Sequence, residues 1–301
     1  MGKLGNASAL ALVSSFLWAI WSMLIDIVDS LGKGNYVSYM TIAETSTLVL
    51  AAMALFAYPA ITKKRLAKAD IGWVGYAVTT GLLFGIGTAV FYGLLGGRNY
   101  PFVASVQMSA LIPFAFIINW VKKEPISRRY IIGTIIAFLG FLLQIFALYG
   151  TDISSSYLVV ALAFGVMAIW TMGYYLSLVI LDRGVQPVTS TPVVSAFSVV
   201  AVLAYGALTN GYAAYRSVTA EEALIAVLIG AIAVAAWMAE DYAFFVIRAA
   251  RAKYMGIINI LTNFELVWIT LFTAFFLSLA YAPLIGGLIM NLIGIAVVAS
   301  S

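Results

Sequence analysis

The sequence predicts an all-α integral membrane protein whose ten transmembrane helices form two inverted five-helix repeats. Three observations predict it. Of the 301 residues, 64% are hydrophobic and only 9% charged, with a mean hydropathy of +1.06, a balance foreign to soluble domains. The segment Ala19-Ile20-Trp21-Ser22-Met23 returns as Ala168-Ile169-Trp170-Thr171-Met172, five predicted spans later. An odd offset inverts the second copy, so that one half crosses the bilayer opposite to the other. Finally, the Lys and Arg residues divide thirteen to three between the loops of the two sides, as the positive-inside rule requires when the span count is right.

The hydrocarbon core is about 30 Å thick and takes roughly 20 apolar helical residues to cross, so the chain has room for about ten spans and little else. Apolar runs punctuated by Gly, Pro and charged turns place helices near 8 to 31, 35 to 58, 70 to 95, 99 to 121 and 127 to 149 in a first repeat, 1 to 150. A second repeat, 151 to 301, holds helices near 156 to 181, 187 to 208, 220 to 247, 254 to 277 and 281 to 299. With the N-terminus inside, the cytoplasmic loops receive Lys3, Lys63, Lys64, Arg65, Lys68, Lys122, Lys123, Arg128, Arg129, Arg183, Arg248, Arg251 and Lys253. Only Lys33, Arg98 and Arg216 fall outside. Both termini are then cytoplasmic, and the expected location is a prokaryotic inner or plasma membrane. The first apolar stretch is too long for a cleavable signal and lacks a strongly basic leader, so it is expected to remain as the first helix.

The net charge of +4 reports orientation, not a nucleic-acid partner, because the basic residues sit in short loops between apolar runs. Cysteine and histidine are both absent, which excludes disulfides, Cys/His metal sites and a histidine proton relay. No cofactor is expected, and proton chemistry falls to carboxylates.

The repetition extends further. Tyr92 is followed six residues on by Arg98, and Tyr242 six on by Arg248; Gly133 and Gly140 match Gly287 and Gly294, two pairs seven apart. Small residues at that spacing let helices approach closely. The stretch from Gly96 to Leu143 holds the small-residue run Ala104-Ser105-Val106-Gln107-Met108-Ser109-Ala110-Leu111-Ile112-Pro113, the Lys122-Lys123-Glu124 turn and the Gly133 to Gly140 helix. Its counterpart, Arg248 to Val298, contains Asn263-Phe264-Glu265-Leu266-Val267. Here the chain resembles the drug/metabolite transporter superfamily, specifically its EamA-like members with two five-helix repeats. The resemblance covers nearly the whole chain and implies ten helices, cytoplasmic termini and secondary transport, with export the commoner direction. Two positions depart from the family pattern: Leu266 stands where a proline is frequent, and Glu44 where many relatives carry an arginine. Substrate rules tied to that arginine do not transfer.

An acid at the centre of a membrane helix costs roughly 2.5 to 3.5 kcal/mol on insertion scales and is rarely kept without a use. At about 1.5 Å per residue, Glu44 lies about 13 Å from the outer end of its helix and Glu265 about 16 Å from the inner end of its own. Glu240 and Asp241 lie nearer the cytoplasmic end of the eighth span, and Asp26 and Asp29 approach the outer end of the first. Trp237 precedes Glu240 by three and Asp241 by four, and Trp268 follows Glu265 by three, so each indole shares a helix face with a carboxylate. Thr41, Glu44 and Thr47 form one polar stripe, and Asn259, Thr262 and Glu265 another; lipid does not tolerate such faces, which should point inward. Trp18, Trp21, Ser22, Trp170 and Tyr174 are the candidates for the remaining walls.

The expected substrate-binding set is therefore Trp21, Trp170, Glu44, Tyr174, Trp237, Glu265 and Trp268. Glu265, Glu240 and Asp241 are the candidates for proton coupling, and Arg98 and Arg248 for gates at opposite faces. Against this stand plainer roles: carboxylates that only brace neighbouring helices, aromatics that only fill space, and arginines that snorkel from helix ends. No Lys or Arg lies well inside a span, which disfavours phosphate and strongly anionic sugar nucleotides. Carboxylates beside indole and phenol faces suit an ammonium through charge pairing and cation–π attraction. The expected partners are then a small amine-bearing metabolite such as an amino acid, the lipid bilayer, and protons as the coupling ion. Uptake of a quaternary amine such as choline is the alternative within transport. An intramembrane enzyme is disfavoured, since the chain lacks His-Glu-x-x-His and a phosphate-cradling loop, and Gly85-Ile86-Gly87-Thr88 lacks the aspartate an aspartyl protease needs.

Overall fold

In the computed structural model the described residues are 2–30, 36–63, 71–95, 111–149, 157–209, 218–265, 267–269, 271–272 and 282–301. Among them there are ten α-helices and no strand. In chain order these are α1 (Lys3–Ser30), α2 (Tyr36–Thr62), α3 (Val74–Leu95, entered through a 3₁₀ turn at Ile71–Trp73), α4 (Leu111–Lys122) and α5 (Arg128–Tyr149). There follow α6 (Tyr157–Asp182), α7 (Pro187–Leu208), α8 (Ala220–Val246), α9 (Ala252–Thr262) and α10 (Ala282–Ala299). Six of them, α1, α2, α3, α6, α7 and α8, are long and apolar enough to cross a membrane. Arg98 and Leu266 lie outside the described residues, as do the side chains of Asp26, Asp29 and Tyr92.

The termini follow local chemistry. Thr219 and Glu222 form a reciprocal capping box at the start of α8: the Glu222 N–H donates to Thr219 Oγ1 at 3.2 Å and the Thr219 N–H to Glu222 Oε2 at 2.6 Å. The second oxygen of this buried acid accepts from Tyr39 Oη at 2.9 Å. Pro187 opens α7, where its missing N–H is no loss. Lys63 and Lys123 close α2 and α4 in the left-handed region, at φ 55° and 53°, and the Glu124 N–H reaches back to the Asn119 carbonyl at 3.1 Å, the wide bond of a Schellman end. Two boundaries differ from the sequence expectation: α1 begins at Lys3, not near 8, and α2 runs on through Pro59 to Thr62 instead of stopping near 58.

Glycines set the closest approaches. A Cβ at Gly133 would lie 2.7 Å from the Gly294 carbonyl oxygen, and one at Gly140 would lie 2.6 Å from that of Gly287. Position rises along α5 as it falls along α10, so these two helices run antiparallel with their backbones in contact. Gly81 of α3 sits against Val194 and Phe197 of α7, and Gly230 of α8 sits against Ala43 and Ser46 of α2. Gly81 and Gly230 are separated by the same 149 residues as Trp21 and Trp170, so corresponding glycines make corresponding contacts.

Polar residues knit one end of the bundle. Lys122 Nζ pairs with Asp182 Oδ1 at 2.7 Å and also donates to the Arg248 carbonyl, tying the ends of α4, α6 and α8. Arg129 and Lys253 donate to the carbonyls of Ser300 and Ser301 at 3.2 and 2.9 Å.

Candidate functional site

Seven helices converge on a cavity of about 130 Å³. Three carboxylates line it, Glu44, Glu240 and Glu265, together with seven aromatic side chains: Trp18, Trp21, Phe84, Phe114, Trp170, Tyr174 and Trp237. Thr47, Thr88, Thr171, Asn259, Thr262 and Asn263 supply the remaining polar surface. No Lys or Arg is among the described lining residues.

Each acid has a donor from another helix. Trp18 Nε1 donates to Glu240 Oε2 at 3.2 Å, and Ser22 Oγ donates to Glu265 Oε1. Trp18 and Ser22 are one helical turn apart, so α1 presents one donor to an acid of α8 and the next to the acid just beyond the C-terminal end of α9, bringing the two carboxylates to the same wall. Glu44 is held separately, by Ser198 Oγ of α7 at 2.8 Å. These bonds fix the carboxylate geometry and leave further oxygen lone pairs to meet a ligand.

The aromatic walls rest on small residues. A Cβ at Gly87 would overlap the Trp170 indole, and one at Gly173 would lie 2.6 Å from Phe84 Cε1. Thus α3 gives the α6 tryptophan its seat, and α6 gives the α3 phenylalanine its own. The rings then engage one another: Phe84 meets Trp237 at 5.0 Å and Tyr174 at 5.3 Å between centroids, Trp170 meets Phe91 at 5.1 Å, and Trp18 meets Trp21 edge-on at 5.3 Å. Gly87→Val should cost about 1–3 kcal/mol through overpacking; chemical denaturation reads this, and unchanged stability would show that α3 and α6 have room to part.

Around Glu265 the backbone departs from the continuous helix expected over 254 to 277. The Asn259 carbonyl, which the Asn263 N–H would normally reach, instead accepts Asn263 Nδ2 at 2.7 Å and Thr262 Oγ1 at 3.0 Å. The displaced Asn263 N–H goes to Ile260 O at 3.2 Å, the Phe264 N–H to Leu261 O at 3.2 Å, and α-helical bonding returns at Trp268, whose N–H reaches Phe264 O at 3.1 Å. Side-chain competition therefore breaks the helix without a proline. Such irregular backbone at membrane depth is tolerated where it lines a cavity, and Asn259, Thr262, Asn263 and Glu265 all do so.

Of the residues expected from sequence, Trp21, Trp170, Glu44, Tyr174, Trp237, Glu240 and Glu265 meet in this one cavity. Trp268 does not line it: its indole N–H donates to Ser15 Oγ at 3.0 Å and its ring meets Phe16 edge-on at 5.5 Å. Ser15 lies seven residues before Ser22, about 10 Å along α1, so the indole has left the level of Glu265. Asp241 opens onto a second, smaller cavity. Arg248 folds onto its own helix end, with Nη1 donating to the Phe245 carbonyl at 2.9 Å and the guanidinium 4.0 Å from the Phe245 ring centroid, the pose of a C-terminal cation satisfying orphan carbonyls. Sequence reasoning missed Phe84, Phe114, Thr88, Thr171, Ala233 and Asn263. The repeat held a signal for one of them: Thr88 precedes the expected site residue Trp237 by the 149 residues that separate Trp21 from Trp170, and Phe84 stands in the same relation to Ala233, so that all four residues of these two pairs line the cavity.

No protein-family model matches the sequence, and no curated protein matches it. The fold is similar to that of a solved chain described only as "Crystal structure of protein", with a TM-score of 0.71 over 97% of this chain and 96% of that one at 15% identity. At that identity the likeness concerns the fold alone: the helical arrangement described above also occurs, end to end, in a second protein of comparable length.

Proposed function

We propose that the chain is a secondary transporter that carries a small organic amine across the membrane by alternating access, as a ten-span, EamA-like member of the drug/metabolite transporter superfamily. The observation that supports this most directly is the cavity wall: three carboxylates and seven aromatic rings with no described basic residue, a lining that matches an ammonium in charge and in cation–π capacity. An amino acid would bring a carboxylate for which the lining offers Asn and Thr donors but no cation, so amines without an acidic end are favoured over zwitterions. A cavity acid that exchanges its proton for the incoming cation would couple transport to protons. Corresponding contacts of Gly81 and Gly230, and the antiparallel seam of α5 and α10, support two inverted five-helix repeats, 1 to 150 and 151 to 301. The gathering of Lys122, Arg129, Arg248, Lys253 and the C-terminus at one end of the bundle supports a cytoplasmic face there.

Counterflow in proteoliposomes tests the proposal. Labelled primary amines should exchange against unlabelled ones without chemical change; absence of exchange across amines and amino acids defeats transport, and conversion to a new compound makes the protein an enzyme. A quaternary amine is the second reading, favoured by the four indoles of Trp18, Trp21, Trp170 and Trp237 on the lining. Under it, Trp21→Ala or Trp170→Ala should abolish binding of a permanently charged amine and spare a neutral amino acid. Titration calorimetry distinguishes the two, and equal losses for both ligands reject the quaternary reading.

A further inference from the structure

Asp241 adjoins Glu240 in sequence, yet its carboxylate opens onto a separate chamber of about 10 Å³. Phe84 and Trp237 line both spaces and, at 5.0 Å between centroids, form the partition. Three hydroxyl residues line the chamber with Asp241: Ser177 of α6, and Ser190 and Thr191 of α7. We propose that this chamber is a binding site for one sodium ion, distinct from the amine cavity.

Size is the first argument. A space of this volume stands at the lower limit for a single water molecule, roughly 10–15 Å³, which suits a single small inorganic ion better than an organic amine. Donor chemistry is the second. The described lining offers oxygen and no nitrogen or sulfur ligand, the set preferred by hard cations. Ser190 Oγ and Thr191 Oγ1 already donate their protons to the Pro187 carbonyl, at 3.3 and 2.8 Å. Their remaining capacity is to accept, which leaves oxygen lone pairs and no proton for a ligand in the chamber. A carboxylate and hydroxyl lone pairs gathered around one small space are complementary to a cation.

Charge is the third argument. Asp241 is the one acid among the described lining residues, so a monovalent ion is neutralised, whereas a divalent ion would keep an uncompensated charge in a low-dielectric interior. An ion held here would tie α6, α7 and α8 together one residue from Glu240, with the Phe84–Trp237 pair as the element that both sites touch.

The test is thermal unfolding of the purified full-length protein without amine, in sodium, potassium or N-methylglucamine chloride at constant ionic strength. Tm should rise with sodium and saturate, with a smaller rise in potassium. Asp241→Asn should remove the sodium response, and Glu240→Gln should keep it. Thr191→Val, which preserves shape, should raise the sodium concentration needed by about tenfold, the equivalent of one weakened ligand; it also keeps the test open should Asp241→Asn fail to fold. Equal Tm in sodium and potassium, a sodium response surviving in Asp241→Asn, or a Tm that follows pH with no sodium dependence each overturns the site. Because no amine is present, failure here is separate from failure of the amine cavity.

Discussion

Glu240→Gln and Glu265→Gln should each weaken binding of a small amine by at least about 30-fold, since removing one partner of a buried charge pair costs about 2–5 kcal/mol and each 1.4 kcal/mol is tenfold. The double variant should bind nothing measurable. Glutamine keeps the shape of glutamate and an acceptor oxygen, so Trp18 Nε1 and Ser22 Oγ retain a partner and the loss reads charge instead of collapse. Because one turn of α1 holds both acids, their effects should exceed the sum expected of distant sites. Glu44→Gln, braced from α7 by Ser198, should produce its own loss, independent of the other two. Calorimetric titration of each variant with one amine decides the matter. Wild-type affinity in the double variant would reduce these carboxylates to braces between helices.

The acids were legible in the sequence for a physical reason: a carboxylate within an apolar membrane helix has few fates besides a partner or a cavity. Glu44, Glu240 and Glu265 announce themselves that way, and the duplicated pentad singles out Trp21 and Trp170. Phe84 and Phe114 carry no such mark. A helix that is apolar all round has no polar face to orient it, so a phenylalanine on the cavity side looks the same as one facing lipid. Only a second sequence relation, the repeat offset applied to Trp237, points to Thr88. The break beside Glu265 was obscured differently. With Leu266 where a proline is frequent, the sequence shows no obvious helix breaker, while the agents of the break, Thr262 and Asn263, are side chains that compete for one backbone carbonyl. Trp268 shows the limit of spacing arguments: three residues from Glu265 is the same helix face, but a helix face spans several neighbours, and the indole found Ser15.

Gly140→Leu should destabilise the protein by about 3 kcal/mol or more, the upper end for overpacking, because the obstacle is the Gly287 carbonyl 2.6 Å from the new Cβ and backbone cannot yield by changing rotamer. The four glycines Gly133, Gly140, Gly287 and Gly294 let α5 and α10 touch along their length, and in a bilayer such contact depends on close packing, since lipid tails satisfy apolar side chains equally well. Gly286→Leu is the control: it lies on α10, the other helix of the seam, one residue from Gly287, and its Cβ would meet only Leu143 Cδ2 at an ordinary 3.5 Å. The control should leave Tm nearly unchanged while Gly140→Leu lowers it sharply. Neither α5 nor α10 contributes a described residue to the cavity, so whatever fraction of Gly140→Leu remains folded should bind amine with unaltered affinity. Equal tolerance of the two leucines would mean that α5 and α10 part readily and that backbone contact at these glycines does not hold them together.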